Sequence, residues 1–395
     1  MAGHTATPAQ LQSQTLTHRP SENPASVRKQ DFCEAKTSAA SFCEAKMRLP
    51  SGNRVSTKQK QKLQNPNTLA KPFQTASQPT RHNEQPMNKH LLPLVLMTAA
   101  SIVSAAPTPN NEITRRADTT VLSQQHNAYT FHTLDIKDSQ NRPHRIFVGI
   151  PKAAPPTRGF PALYALDGNA LLEYLAPDRL KLPPEQLPVL VLIGYPTELR
   201  FDTAARAYDY TPPDPQGKTM PDQLTPERSN GGAPPFLKFI LHQVRPQIDR
   251  LVRTDPHKQT LWGHSYGGLF VLHTLFNEPQ AFTRYVAADP SLWWQNGLML
   301  QYAEPFFRRP PPSNLSLTIE KSGTNDNKRP ANPQQAAILS RREAVTRAVP
   351  PDSAKQLAER LRQHGLQVQY RHHADLTHGG LLTESFEQTL PEAAK

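Results

Sequence analysis

The stretch Leu261-Trp-Gly-His-Ser-Tyr-Gly-Gly-Leu-Phe270 (LWGHSYGGLF) decides the fold of this chain. It leads from an apolar strand pattern, KQTLWGH (258–264), through G-x-S-x-G into an apolar helix pattern, YGGLFVLHTLF (266–276). This order is typical of a nucleophile elbow, a sharp turn that exposes a serine hydroxyl. The pattern therefore predicts that Ser265 is a nucleophile, and a chance glycine turn is the alternative.

Apolar runs and helical patterns alternate on both sides of this stretch. Strand patterns occupy 144–151, 160–168, 187–196, 258–264, 284–289, 315–323 and 366–373, and helical patterns occupy 234–252, 266–276 and 353–365. The alternation predicts an α/β protein with the α/β-hydrolase fold: a mostly parallel central sheet with helices on both faces. Two long connections, 196–233 and 323–341, are expected to carry function or to cover a site.

A serine nucleophile needs a base and, in most hydrolases, an acid that orients the base. The base follows the last strand in this fold, which points to His378. The acid is expected after the strand LSLTIE, where Asp326 is our choice and Glu320 the runner-up; Asp375 lies too near His378 along the chain. A metal site is the alternative use of this region, with the set His372, His373, Asp375 and His378. Adjacent histidines on a strand point to opposite faces, so this set converges poorly and no metal is predicted.

The oxyanion formed during acyl transfer requires two backbone N–H groups. One comes from the residue after the nucleophile, Tyr266, and the other from an earlier loop. LDGNA (166–170) is the natural source of the second, through Gly168 or Asn169. An ordinary tight turn is the alternative for this segment, because Asp, Gly and Asn favour turns in any case.

The N-terminal part of the chain differs in composition from the rest. Residues 1–86 are polar and Pro-rich, which predicts disorder because they bury too little apolar surface. From Met87, a basic stretch, an apolar run and the small residues at 104–106 form the pattern of a secretory signal peptide at 87–105. An uncleaved membrane anchor is the alternative, but the run is short for a span and contains Pro93.

We therefore hypothesise that translation starts at Met87 and that 106–395 is a single α/β-hydrolase domain in the periplasm or outside the cell. The chain has a formal net charge of +12, but residues 1–105 alone carry 13 Lys and Arg against 5 Asp and Glu. The predicted domain thus lacks the concentrated basic character that nucleic-acid binding requires, and no nucleic-acid partner or stable membrane span is predicted.

Several long motifs together resemble the enterochelin-esterase-like branch of the α/β hydrolases, which includes periplasmic hydrolases of siderophore trilactones. These motifs are LDGNALLEYL (166–175), IGYPTELRFDTAARAYDYTPP (193–213), GGAPPFLKFI (231–240), GHSYGGLFVL (263–272), ADPSLWW (288–294) and THGGLLTESF (377–386). The resemblance implies an esterase without a cofactor, with Ser265 as nucleophile, His378 as base, and the amides of Gly168 and Tyr266 as oxyanion donors. It also implies that some members use a Ser–His pair with no obvious acid. The chain departs from the branch in its long 323–352 region.

The implied substrate is a small-molecule ester such as a ferric catecholate siderophore of the enterobactin or salmochelin type, which is anionic and aromatic. Side chains suited to such a ligand are Arg200, Arg206, Tyr208, Tyr210, Trp293 and Trp294. Alternatively, Arg206 and Tyr210 hold the long connection in place and Trp293 belongs to the core. Two other functions stay open: a general carboxylesterase or acyltransferase of the same fold, and a siderophore-binding protein without catalysis.

Overall fold

The computed structural model describes residues 114–125, 128–324, 330 and 332–395. The predicted disordered segment (1–86) and signal peptide (87–105) lie outside the described residues, so these boundaries stay predictions. All the described residues belong to one compact unit, Met97–Lys395.

A single eight-stranded sheet forms the centre of this unit. Its strands are β1 Tyr129–Lys137, β2 Pro143–Pro151, β3 Phe160–Leu166, β4 Val189–Gly194, β7 Thr254–His264, β8 Arg284–Ala288, β9 Ser316–Thr324 and β10 Gln367–Thr377, and a separate hairpin consists of β5 Met220–Pro221 and β6 Ser229–Asn230. The order across the sheet is β1-β2-β4-β3-β7-β8-β9-β10. Pairs β1–β2 and β2–β4 are antiparallel and all the others are parallel. The predicted mostly parallel sheet is confirmed.

Within the described residues, ten α-helical segments connect or flank the strands. They are α1 Gly168–Leu171, α2 Thr203–Asp209, α3 Ala233–Phe239, α4 Arg245–Leu251, α5 Tyr266–Asn277, α6 Leu298–Tyr302, α7 Glu304–Phe307, α8 Pro333–Arg347, α9 Ser353–Gln363 and α10 His378–Ala393. A π-helical turn, Ile240–Val244, joins α3 to α4, so the predicted helix at 234–252 is continuous with a widened middle. No helix within the described ranges has the length and apolar character that a membrane span requires.

Helices cover both faces of the sheet, and the alternation of side chains along β3 shows it. Tyr164 and Leu166 belong to the core cluster that contains the α5 residue Phe270. Leu163 and Ala165 point the other way, into a second cluster with Phe386 of α10. Because every β3 residue is buried, the strand reads as one apolar run, as a central parallel strand must. The predicted α/β-hydrolase architecture is confirmed.

The long connections contain more structure than their sequences suggested. The 196–233 connection contains α2 and the β5–β6 hairpin, and within the 323–341 region α8 begins at Pro333. The last strand extends to Thr377, beyond its predicted end at residue 373, and α10 begins directly after it. Since β3, β7, β8, β9 and β10 run parallel, the residues that follow them meet along one edge of the sheet.

Candidate active site

Ser265 occupies the turn between β7 and α5 and has the backbone conformation of a nucleophile elbow. Its φ of 62° and ψ of −116° are uncommon for a residue with a side chain. The N–H of Ser265 donates to the carbonyl of Ala288 at 2.9 Å, which ties the turn to the end of β8. A Cβ on Gly263 would lie 2.5 Å from the carbonyl oxygen of Gly267. The first glycine of the motif is therefore required by the close approach of strand and helix.

His378 lies beside Ser265, and each of its ring nitrogens has a hydrogen-bond partner. Its Nε2 is 3.0 Å from Ser265 Oγ, and its Nδ1 is 2.7 Å from Asp289 Oδ2. With the proton on Nδ1 the ring donates to Asp289, and Nε2 is then free to accept the hydroxyl proton of Ser265. The geometry is that of a serine–histidine–carboxylate triad.

Helix α10 holds His378 in position through contacts at both ends of its first half. The hydroxyl of Thr377 accepts the N–H of Gly380 at 3.1 Å and caps the helix. Further along, Trp262 of β7 donates from Nε1 to Ser385 Oγ at 2.9 Å and its ring packs edge-on against Phe386. The helix that carries the histidine is thus docked on the strand that leads to the serine.

His264, the residue before the nucleophile, also contacts His378. Its Nε2 donates to the backbone carbonyl of His378 at 2.8 Å, and the two rings are 4.4 Å apart. Burial, assisted by the charge of His378, holds the pKa of His264 well below its usual range. His264 is therefore neutral and acts as a brace for the His378 backbone.

Asp289 directly follows β8 and is almost fully buried. Its Oδ1 pairs with Lys321 Nζ at 2.8 Å, and its Oδ2 accepts the hydroxyl of Ser322 in addition to the ring of His378. Burial opposes its ionisation, but the hydrogen bond and charge of His378 together with Lys321 outweigh burial and hold the pKa of Asp289 well below its usual range. Asp289 is therefore an anion.

Asp289 is not among the acids predicted from the sequence. Asp326, our choice, lies outside the described residues. The runner-up, Glu320, is buried and pairs with Arg371 of β10 at 3.3 Å, and Asp375 is exposed on β10. The available signal was the position of Asp289 at the carboxyl end of the strand next to β7, within ADPSLWW.

The predicted oxyanion donors, the backbone amides of Gly168 and Tyr266, lie at the starts of two helices. Tyr266 is the first residue of α5 and Gly168 the first of α1, so neither N–H has an acceptor within its own helix. The two turns lie against each other, because a Cβ on Gly267 would be 3.4 Å from Leu166. Asn169, the other candidate, is buried and uses its side chain to bind the backbone of Tyr195, with distances of 2.9 and 3.0 Å.

The segment after Asp289 completes the surroundings of the serine. Ser291 Oγ lies 3.1 Å from Ser265 Oγ. Trp293 is half-buried, and its ring centre is 5.9 Å from that of Tyr266. Trp293 therefore offers partly exposed aromatic surface next to the nucleophile turn.

Arg206 and Tyr210, two predicted substrate contacts, are instead engaged within the protein. Arg206 donates to both carboxylate oxygens of Asp167, at 2.8 and 2.9 Å. Tyr210 is fully buried, and its hydroxyl accepts the N–H of Asp167 at 3.0 Å. Tyr210 has no exposed surface to offer a ligand, so the expectation that it contacts substrate is wrong. The contacts favour the alternative, in which Arg206 and Tyr210 hold the 196–233 connection in place. Arg200 is likewise buried and pairs with Glu173 at 2.9 Å.

No three His, Cys, Asp or Glu side chains in the described part of the chain are grouped to hold a metal ion. In the alternative metal set, His378 is engaged by Ser265 and Asp289, and His373 lies 3.8 Å from Glu320. Ser265, His378 and Asp289 supply a nucleophile, a base and an orienting carboxylate.

Comparison with known proteins agrees with this chemistry. Residues 138–393 match the esterase family described as "Putative esterase". The ferri-bacillibactin esterase BesA of Bacillus subtilis is 33% identical over 240 residues, which cover 54% of this chain and 81% of BesA. The apo-salmochelin esterase of Escherichia coli is 39% identical over 152 residues, 38% of this chain and 48% of that protein, so this alignment spans about half of the relative.

Among solved structures, the siderophore hydrolase EstA of Aspergillus nidulans has a TM-score of 0.55 at 27% identity, over 67% of this chain and 93% of EstA. The BES protein of Bacillus cereus has a TM-score of 0.53 at 26% identity, over 69% of this chain and 98% of that protein. Fold, site geometry and family match lead to one conclusion: the chain belongs to this esterase family and is an α/β-fold serine hydrolase of carboxylic esters.

Proposed function

We propose that this protein hydrolyses the ester bonds of a catecholate siderophore trilactone through an acyl-enzyme formed on Ser265. The observation that carries the proposal is the unbroken series of hydrogen bonds from Ser265 Oγ through His378 to Asp289, with distances of 3.0 and 2.7 Å. Such a series makes a weakly acidic alcohol nucleophilic, which a protein that only binds its ligand does not need.

The first half of the reaction forms the acyl-enzyme. Ser265 Oγ attacks the ester carbonyl carbon while His378 Nε2 takes the hydroxyl proton, and the carbonyl oxygen becomes an oxyanion. The N–H groups of Gly168 and Tyr266 stabilise that oxyanion. The ester C–O bond then breaks, and the departing alkoxide takes the proton from His378.

The second half releases the product. Water attacks the acyl carbon, gives a proton to His378 and forms a second oxyanion in the same place. When the bond to Ser265 Oγ breaks, the serine recovers its proton from His378 and a carboxylic acid leaves. Asp289 remains ionised throughout and stabilises the imidazolium that forms in each half.

The substrate class is supported by the relatives and by the aromatic surface beside the serine. BesA is named for ferri-bacillibactin and the E. coli relative for apo-salmochelin. Trp293, half-buried next to Tyr266, can stack on a catechol ring. A location outside the cytosol also belongs to this proposal, and the signal-like pattern from Met87 supports it.

Turnover by the wild type and by S265A tests the proposal. Enterobactin and p-nitrophenyl butyrate are incubated with each protein, the products are identified by mass spectrometry, and labelling by a fluorophosphonate probe is measured in parallel. We expect the wild type to open the trilactone and to be labelled, whereas S265A loses both properties, with activity lower by about a thousandfold or more.

Four outcomes would contradict parts of the proposal. Equal activity of S265A would reject the nucleophile. Turnover of the short ester without the trilactone would leave a general carboxylesterase, and transfer to an added alcohol in preference to water would indicate an acyltransferase. Enterobactin binding without turnover of any ester by the wild type would indicate a binding protein.

A further inference from the structure

Asp289 is shared between the catalytic imidazole and a lysine. His378 Nδ1 contacts Oδ2 at 2.7 Å, and Lys321 Nζ contacts Oδ1 at 2.8 Å from the end of the neighbouring strand β9. Ser322 also donates to Oδ2. The side chain of Asp289 is 4% exposed and that of Lys321 is 35% exposed, so the pair is only partly screened by solvent.

We propose that Lys321 is a positioning residue for ester hydrolysis, and that its ammonium charge sets the acidic limit below which His378 stops working as a base. This inference rests on the roles assigned to Ser265 and His378 in the proposed function. Lys321 acts through Asp289 and does not touch the reacting atoms.

The reasoning follows from the charges around the imidazole. A lone carboxylate next to the ring favours the protonated imidazolium, which cannot accept the proton of Ser265. The nearby ammonium of Lys321 opposes this effect, because it repels the imidazolium and offsets the negative charge of the ionised Asp289. With Lys321 present, His378 stays neutral, and therefore competent as a base, to a lower pH.

The other ionisable groups that face this cluster do not replace Lys321. His264, from the end of β7, is kept neutral mainly by burial. Arg206, from α2, is held by both oxygens of Asp167. Tyr370, on β10, is kept protonated because burial, followed by the charge of Asp289, raises its pKa. Among the residues that the structure describes, Lys321 is the cation with a hydrogen bond to Asp289.

Three substitutions separate charge from hydrogen bonding. K321M removes the charge and the donor, K321Q removes the charge and keeps a donor, and K321R keeps both. The readout is the pH dependence of kcat/KM for p-nitrophenyl butyrate from pH 5 to 9, which reports ionisations of the free enzyme. The rate of fluorophosphonate labelling over the same range gives a second profile that does not depend on the natural substrate.

We expect the acid limb of both profiles to move to higher pH by about half to one unit in K321M and K321Q, and to stay in place in K321R. Rates above pH 8 should remain within a few-fold of the wild type. Thermal melts of the three variants show whether each is folded. If K321M does not fold, K321Q provides the test.

An acid limb that stays in place in folded K321M and K321Q would overturn the inference, as would a uniform loss at every pH, since that is the signature of a merely structural contact. S265A separates this failure from that of the proposed function. A fully active S265A rejects the proposed function, whereas an inactive S265A with unmoved limbs in the lysine variants rejects only the role of Lys321.

Discussion

The carboxylate of Asp289 is the least replaceable of the polar groups around His378. It holds the Nδ1 proton, which leaves Nε2 directed at Ser265, and it is ionised because its partners outweigh the cost of burial. Asparagine at this position would keep the size of the side chain but could present its NH₂ group to the ring. The imidazole would then have the wrong tautomer for proton acceptance.

We therefore expect D289N to lower kcat by about a hundredfold to ten-thousandfold, with KM within a few-fold of the wild type. The measurement is steady-state hydrolysis of p-nitrophenyl butyrate, together with the rate of fluorophosphonate labelling. D375N is the matched control, since Asp375 is exposed and only three residues from His378. Near-normal turnover by D289N would show that a Ser–His pair suffices, and a large loss in D326N would return the acid to Asp326.

At the scale of elements, the β5–β6 hairpin is fastened to the nucleophile helix through Asp222. Tyr266 donates its hydroxyl to Asp222 Oδ2 at 2.9 Å, and Asn230 of β6 donates to the same oxygen at 3.2 Å. Burial and the charge of Asp222 raise the pKa of Tyr266 well above its usual range, so this hydroxyl is a permanent donor. Trp294 extends the connection by donating to Asn230 Oδ1 at 2.8 Å.

Release of this hairpin should affect large substrates more than small ones. We expect D222A to raise KM for enterobactin by about three- to tenfold while leaving kcat/KM for p-nitrophenyl butyrate within twofold. The reason is that losing the hydrogen bonds of Asp222 disorders the 196–233 connection and not the triad. Kinetics with the two substrates check this. D214A is the control, since Asp214 caps a turn in the same segment through the N–H groups of Gln216 and Lys218. An equal loss of kcat/KM for both substrates in D222A would contradict a role of Asp222 that is confined to the 196–233 connection.

The elements also explain which parts of the site the sequence could predict. Ser265 follows a strand with a strong apolar pattern and His378 follows the last strand, and parallel strands bring their carboxyl ends to one edge of the sheet. Asp289 meets the same condition, but a single acid before proline carries no local mark of its partner 89 residues away. Tyr210 and Arg206 are engaged by Asp167, 43 and 39 residues distant, and such contacts leave no local pattern in the sequence.

At the scale of the whole molecule, the segment 114–125 is attached to the domain at several points. Arg115 pairs with Glu173 at 2.7 Å, and the N–H of Ala117 donates to the carbonyl of Glu198 at 2.8 Å. Val121 is 2% exposed and belongs to the core cluster on the α10 side of the sheet. These contacts make the segment part of the folded domain.

Two truncated chains test this boundary. A chain that starts at residue 106 should keep the melting temperature and the esterase activity of the 395-residue chain, because the interactions of 114–125 remain. A chain that starts at residue 126 should melt lower by several degrees, since it loses a buried valine and a partly buried ion pair, about 2–3 kcal/mol in all. Calorimetry measures the melting temperatures of both chains. Equal melting temperatures for the two chains would show that the segment contributes nothing to stability.

The docking of α10 on β7 through Trp262 and Ser385 has an evolutionary consequence. The distance between Ser265 and His378 is fixed from the interior of the domain, whereas the 196–233 connection, which we propose covers the site, is a separate part of the chain. Exposed residues of that connection can therefore change without altering the contact that fixes the triad. A protein divided in this way can acquire new substrates through changes in this connection while its catalytic residues stay constant.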